Sequence, residues 1–176
     1  MEMMVAHGRV LGAALGIGTV ASLTSTLALG LLARLEGKGA LQPINATSHW
    51  LNGDGSGSLA GADITHTAVG YITHHAATVF WAAFFVQWLG ARRSRTPLSI
   101  VQGAVALSAI AAAVDYVATP KRFTPGWELV LTRCSMATAY AAMAAGMAAG
   151  ALMIQQSPGA EQRSFRTAHK SVLSTV

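Results

Sequence analysis

The chain has little charge and almost no cysteine. Of its 176 residues, 11% are Asp, Glu, Lys or Arg, whereas 52% are hydrophobic. A soluble domain carries about a quarter charged residues, so this chain has too few to cover a water-facing surface. The single cysteine, Cys134, excludes a disulfide within the chain and argues against a thiolate metal site. The scarcity of charged residues indicates that the chain folds in a lipid bilayer.

The net charge of +5 does not indicate a nucleic-acid-binding protein. The twelve Lys and Arg residues are scattered between apolar stretches, as is typical of residues that flank membrane spans. We therefore expect membrane lipids as partners, and no nucleic acid.

Four apolar stretches reach the length of about 20 residues that a spanning helix needs. They cover residues 10–33, 67–90, 98–118 and 134–154. Residues 36–63, rich in Gly, Ser and Asn, separate the first two stretches and form an outer loop. The sequence thus predicts an all-α protein, a four-helix transmembrane bundle that forms one integral membrane domain over residues 1–176. The first stretch is too long for a signal-peptide core and is expected to be retained.

The basic residues predict the orientation of the bundle. The connection ARRSRTP, residues 91–97, holds three arginines, and short basic connections stay in the cytoplasm. Four spans then place the N and C termini in the cytoplasm as well. The 36–63 loop and the connection between the third and fourth spans are expected outside.

Small residues mark two helix faces. Gly12 and Gly16 in the first span, and Gly146 and Gly150 in the fourth, are spaced so that another helix can approach closely. Packing within one chain explains this spacing. The alternative is a homo-oligomer or a larger membrane complex that uses the same faces.

The ionisable residues of the spans gather toward the outer side. His66, His74 and His75 lie in the stretch HTAVGYITHHAATVFWAAFF, and Asp115 lies about three residues inside the outer end of the third span. The other candidates lie at the outer ends or in the outer loops: Glu36, His49, Lys121, Arg122, Glu128 and Arg133. Ionisable residues in a span are costly and usually face the bundle interior or a wet cavity. The sequence therefore predicts a polar pocket that opens to the periplasmic side.

Helical geometry limits which of these residues can meet. His66, Gly70 and His74 recur every fourth residue and share a face, on which Gly70 leaves room for another helix or a ligand. Adjacent positions differ by about 100°, so at most one of His74 and His75 shares a site with Asp115. The face that contains Gly70 favours His74.

Three interpretations of the pocket stay open. In the first, a histidine of the His-His pair hydrogen-bonds Asp115, Arg133 pairs with Glu128 or Glu36, and the cluster fixes the order of the helices. In the second, it binds a small molecule or relays protons. The third is a metal or haem site.

The metal interpretation assigns His66, His74 and Asp115 as ligands of Zn, Cu or Fe. However, His66 and His74 are about 12 Å apart along the axis, and no H-x-x-x-H motif is present. A haem would need His49 as a second ligand from a loop. Either cofactor would allow an oxidoreductase or hydrolase, with His74 as base and Asp115 as its orienting partner, although a protein without catalytic activity is favoured.

The outer loops carry two further features. Lys121 and Arg122 lie between Pro120 and Pro125, where a basic pair holds a lipid phosphate or an acidic substrate, or is simply solvated. The composition of residues 53–63, GDGSGSLAGAD, predicts a flexible linker.

Three segments resemble a known group of proteins. They are PINATSHW, HTAVGYITHHAATVFWA and DYVATPKRFTPGWE, within residues 42–133. They are similar to segments of short, four-span bacterial inner-membrane proteins with no assigned function. The resemblance implies a multi-pass protein of the bacterial inner membrane and no particular reaction. A structural or ligand-binding role, or that of an accessory subunit of a larger membrane complex, is therefore expected.

Overall fold

A computed structural model describes residues 2–92 and 95–156 of the chain. Within these residues the fold is all-helical and contains no strand. The α-helices are α1 (Glu2–Leu35), α2 (Gln42–Ala46), α3 (His49–Asn52), α4 (Val69–Gly90), α5 (Pro97–Ala113) and α6 (Arg133–Gln155). Part of the arginine-rich connection and the C-terminal segment used to predict the orientation lie outside the described residues.

Short turns of 3₁₀ or π geometry complete the described helical structure. They are Asp54–Ser58, Ile64–Ala68, Val114–Ala118, Lys121–Phe123 and Trp127–Leu129. Two of these have π geometry and continue a long helix, one before α4 and one after α5.

The four predicted spans are confirmed as helices that are long and apolar enough to cross a membrane. They run over Val10–Leu35, Ile64–Gly90, Pro97–Ala118 and Arg133–Gln155. Each is at least 22 residues long, above the roughly 20 residues that a bilayer requires. This is the architecture of a multi-pass membrane protein.

Local sequence explains where α5 and α6 begin. Thr96 Oγ1 accepts a hydrogen bond from the backbone N–H of Ser99, and Pro97 occupies the first turn of α5. Thr132 Oγ1 likewise accepts from the N–H of Ser135 at the start of α6. A threonine cap satisfies an amide that a helix leaves unpaired, and proline suits the first turn because its missing N–H is not needed there.

Helix α1 packs antiparallel against both α4 and α6, and α5 completes the bundle between them. The contact with α6 brings two backbones together: a Cβ added to Gly146 would lie 2.6 Å from Ala21 Cα, and one added to Gly150 would lie 3.0 Å from Ile17 Cα. Gly146 and Gly150 of α6 therefore pack against α1 of the same chain. In contrast, a Cβ on Gly12 would meet none of the described residues within 4 Å.

The segment between α1 and α4 folds back onto the end of the bundle. Residues 43–49 are all buried, and a Cβ on Gly70 of α4 would lie 1.9 Å from the Ile44 carbonyl oxygen. Helix α2 therefore takes the room that Gly70 leaves. We call this end of the bundle, which carries residues 36–63 and 119–132, the capped end.

The prediction of a flexible linker is wrong, because side-chain hydrogen bonds join residues 53–63 to α2. Asn45 Nδ2 donates to the carbonyl oxygens of Leu59 and Gly61, at 2.7 and 2.9 Å. Asn45 Oδ1 also accepts from Thr67 Oγ1 at 2.7 Å. One buried amide therefore joins α2, the glycine-rich segment and the start of the second span.

Candidate functional site

A cavity of about 380 Å³ lies at the capped end between α4, α6, the π turn that follows α5 and the capping segments. We call it the aromatic cavity because five aromatic rings line it: Trp50, Trp81, Phe123, Trp127 and Tyr140. Its polar lining residues are Thr47, Thr73, His74, Thr78, Asp115 and Thr124. The structure thus brings His74 and Asp115 to one cavity.

Helix α4 supplies one wall of the cavity through two adjacent rows of side chains. Thr73, Ala77 and Trp81 recur every fourth residue, as do His74 and Thr78. Residues with this spacing stack on one helix face. His75, one position further on, lies outside the lining. Its ring stacks on Tyr71 at a centroid distance of 5.9 Å.

His74 is 5% exposed, and its Nε2 lies 2.9 Å from Ser25 Oγ on α1. The Ser25 hydroxyl itself donates to the Ala21 carbonyl oxygen at 2.8 Å. A serine has one hydroxyl proton, so which of Ser25 and His74 donates in their contact depends on the tautomer of His74. The expected hydrogen bond between a histidine and Asp115 is therefore not formed by His74, which instead links α4 to α1.

Asp115 lies in the π turn that follows α5 and is bonded by a tyrosine. Its Oδ2 accepts a hydrogen bond from the Tyr140 hydroxyl at 2.6 Å. The Tyr140 carbonyl oxygen in turn accepts from Ser108 Oγ at 2.6 Å. These two bonds join α5 to α6 beside the cavity.

The ring of Trp127 lies next to those of His74 and Tyr140. Its ring centroid is 5.7 Å from that of His74 and 5.2 Å from that of Tyr140. Its Nε1–H donates to Thr47 Oγ1, and the Nε1–H of Trp50 donates to Thr73 Oγ1, each at 3.2 Å. Since both indole N–H groups are satisfied, these side chains offer the cavity their ring surfaces.

A second, larger cavity of about 930 Å³ lies next to the first and shares Trp50 and Thr124 with it. We call it the polar cavity. Four of the candidate site residues predicted from the sequence line it: His49, Lys121, Arg122 and Glu128. Asp54, which was not predicted, lines it as well. The basic pair predicted in the outer loop thus lies beside two carboxylates.

The polar side chains of this second cavity are tied to the backbone around it. His49 is buried, with Nε2 donating to the Thr124 carbonyl oxygen at 3.0 Å and Nδ1 3.1 Å from Asp54 Oδ1. Both nitrogens that a haem iron would use therefore have partners. Arg122 Nε donates to the Trp50 carbonyl oxygen at 3.2 Å. These bonds hold the connection after α5 over the aromatic cavity.

Glu36 joins the end of α1 to the start of α6. It accepts hydrogen bonds from Ser135 Oγ at 2.6 Å and from Thr132 Oγ1 at 2.7 Å. These side-chain bonds lower the pKa of Glu36 to about 2, with a smaller contribution from Lys38. Lys38 Nζ lies 3.6 Å from the carboxylate, so the ion-pair partner of Glu36 is Lys38. Arg133, the expected partner, is exposed.

The ligand set proposed for a metal is not assembled. His66 Nδ1 lies 3.0 Å from Asp63 Oδ2 at the start of the second span, and His66 does not line the cavity of His74 and Asp115. Among the residues that the structure describes, no group of three or more His, Cys, Asp or Glu side chains is placed to hold a metal ion.

Comparison with known proteins gives no family: no protein-family model, curated protein or solved structure matches the chain. The likeness of three segments to four-span bacterial proteins stays a prediction.

Three residues that shape the aromatic cavity were missed by sequence reasoning: Ser25, Trp127 and Tyr140. Ser25 gave no signal because a serine in an apolar helix commonly bonds its own preceding turn. Tyr140 carried a weak signal, since it is the tyrosine of the alanine-rich fourth span.

Proposed function

We propose that this is a multi-pass protein of the bacterial inner membrane that binds a small amphipathic molecule in the aromatic cavity. The observation that carries the proposal is the lining of that cavity: five aromatic rings with a few polar groups, His74 and Asp115 among them, around about 380 Å³. Small-molecule sites are concave, mostly apolar, roughly 300–1,000 Å³ in volume and oriented by a few polar groups.

Binding is better supported than catalysis. A general base needs an orienting partner and a path to its substrate. His74 directs Nε2 to Ser25, and Asp115 is bonded by Tyr140, so the two groups do not form an oriented pair. Each instead joins two helices and presents its remaining surface to the cavity.

We infer that a ligand enters the cavity from the side of the bundle. Helices α4 and α5 meet near the connection that joins them, where a Cβ on Gly103 would lie 2.1 Å from the Trp88 ring. At the other end, the exposed residues Ala77 and Phe123 line the cavity. These exposed positions support a lateral entrance for a ligand dissolved in the membrane.

The arginine-rich connection supports an orientation in which the capped end, and with it the cavity, faces the periplasm. Cys134 tests this orientation because it is exposed at the capped end and is the single cysteine of the chain. In bacterial spheroplasts, a membrane-impermeant maleimide should label Cys134. It should not label Ala91→Cys in a Cys134→Ser background until the cells are lysed. The reverse pattern would invert the orientation and place the cavity in the cytoplasmic half.

Ligand binding is testable by quenching of tryptophan fluorescence, since three of the four tryptophans line the aromatic cavity. The probe is para-bromobenzyl alcohol, a neutral amphipathic molecule whose bromine quenches indole on contact. Titrated into protein in lipid nanodiscs, it should quench saturably. An Ala77→Phe substitution fills the cavity and should abolish saturation.

The matched control is Ala76→Phe, which adds the same side chain at an exposed neighbouring position outside the lining. It should bind as the wild type does. Linear, unsaturable quenching in all three proteins would mean that the probe only partitions into lipid, and the proposal would fail.

A further inference from the structure

We infer that the aromatic cavity selects a cation: the tertiary or quaternary ammonium group of a small amphipathic amine, with Asp115 as its counter-ion and the aromatic rings as its cage. This inference rests on the proposed function, because it assigns the chemical class of the ligand that the cavity takes.

The charged residues that line the aromatic cavity favour a cation. Asp115 is the one carboxylate among the described residues that line the cavity, and none of those residues is a lysine or arginine. Lys121 and Arg122 line the polar cavity, beside the carboxylates of Asp54 and Glu128. The aromatic cavity thus has one carboxyl group and no lysine or arginine beside it.

The hydrogen bonding of Asp115 leaves one of its carboxyl oxygens available to a ligand. Tyr140 donates to Oδ2, and Oδ1 accepts no hydrogen bond from the described residues. His74 does not compete for it, since Nε2 is directed to Ser25. An acidic group at membrane depth is costly unless it is paired, so a ligand with a positive charge gains most by entering.

The aromatic rings of the lining also favour a cation. The indole N–H groups of Trp50 and Trp127 are bonded to Thr73 and Thr47, so these two residues line the cavity with the carbon atoms of their rings. A cation within about 6 Å of a tryptophan face is attracted by the ring quadrupole, and aromatic cages recognise quaternary ammonium groups in this way. A carboxylate beside such rings adds an ion pair in a water-poor site.

The test compares two bromine-labelled probes of nearly equal shape, para-bromobenzyltrimethylammonium and its neutral carbon analogue para-bromoneopentylbenzene. Each is titrated by tryptophan quenching into the wild type, Asp115→Asn and Asp63→Asn in nanodiscs of zwitterionic lipid. The amide of Asp115→Asn keeps an oxygen for the Tyr140 hydroxyl and loses the charge. Asp63→Asn removes a carboxylate that lies outside both cavities.

We expect the cation to bind the wild type and Asp63→Asn alike, and Asp115→Asn at least about tenfold more weakly, because a desolvated charge pair is lost. The neutral analogue should bind the wild type more weakly than the cation and should not distinguish Asp115→Asn. The wild-type comparison of the two probes decides the sign of the preference even if Asp115→Asn does not fold.

Three outcomes would overturn the inference in different ways. Equal saturable binding of both probes to the wild type would refute the cation preference and leave a neutral-ligand cavity. Unchanged cation binding by a folded Asp115→Asn would refute Asp115 as the counter-ion and with it the inference as stated. The absence of saturable quenching by either probe and by para-bromobenzyl alcohol would refute the proposed binding function itself.

Discussion

The Tyr140 hydroxyl lies 2.6 Å from Asp115 Oδ2, so that one hydrogen bond joins α6 to the end of α5 at the wall of the aromatic cavity. Replacing Tyr140 by phenylalanine keeps the ring and removes the donor. We expect Tyr140→Phe to lower the free energy of unfolding by about 1–3 kcal/mol, the range for a lost bond to a charged group. Unfolding by sodium dodecyl sulfate in mixed micelles, followed by tryptophan fluorescence, measures this change.

The control for this prediction is Thr138→Val on the same helix. Thr138 is exposed and its hydroxyl donates to its own helix, at the Cys134 carbonyl oxygen. Its replacement should change stability by less than about 0.5 kcal/mol. If both variants lose the same stability, the Tyr140–Asp115 bond does not join the helices as described.

The contact between His74 and Ser25 predicts a difference between two neighbouring serines of α1. Ser25→Ala removes the hydrogen-bond partner of the buried His74 Nε2 and should cost about 1–3 kcal/mol of unfolding free energy. Ser22 is equally buried, and its hydroxyl has no hydrogen-bond partner among the described residues. Ser22→Ala should therefore be neutral or slightly stabilising in the same unfolding assay. Equal losses for the two serines would argue against the His74 contact.

The close approach of α2 to α4 predicts that Gly70 tolerates no side chain. A Cβ there would lie 1.9 Å from the Ile44 carbonyl oxygen, so Gly70→Ala forces α2 away from the bundle. We expect a loss of at least about 2 kcal/mol.

Gly12→Ala is the matched control, because its Cβ would meet nothing within 4 Å in the part of the chain that the structure describes, and alanine favours a helix by about 1 kcal/mol relative to glycine. Its unfolding free energy should stay the same or rise. A harmless Gly70→Ala would show that the cap is not packed on α4.

The hydrogen bonds to Glu36 predict a pH dependence of stability. The pKa of Glu36 is about 2 in the folded protein, against an ordinary value of 4.5. Since the folded pKa is the lower one, the ionised carboxylate stabilises the protein fully above pH 4.5 and loses this contribution as the pH falls toward 2. Glu36→Gln should thus lower the unfolding temperature at pH 7, and the difference from the wild type should shrink below pH 4.5. A difference that stays constant down to pH 3 would contradict the pKa shift.

The spans could be predicted from the sequence because the thickness of a bilayer sets the length of an apolar helix. The 100° rotation between adjacent residues predicted that at most one of His74 and His75 lies with Asp115, and the face that contains Gly70 favoured His74. Both are local properties of a helix, and the structure places His74 and Asp115 at one cavity.

The partners of these residues could not be predicted, because they come from helices that are distant in sequence. Ser25 and His74 are 49 positions apart, and Asp115 and Tyr140 are 25 apart. The packing of the glycine-rich cap was missed for the same reason. Composition indicates a flexible chain there, while the buried Asn45 amide that orders it gives no compositional signal.

Photolabelling of the protein shows directly where an ammonium ligand lies. The probe is a benzyltrimethylammonium with a diazirine on its ring, irradiated with the protein in nanodiscs and mapped by peptide mass spectrometry. The account predicts labels on Trp50, Trp81, Trp127 or Tyr140, and their loss in Ala77→Phe but not in Ala76→Phe. Labels spread along lipid-facing surfaces, or unchanged when the cavity is filled, would contradict it.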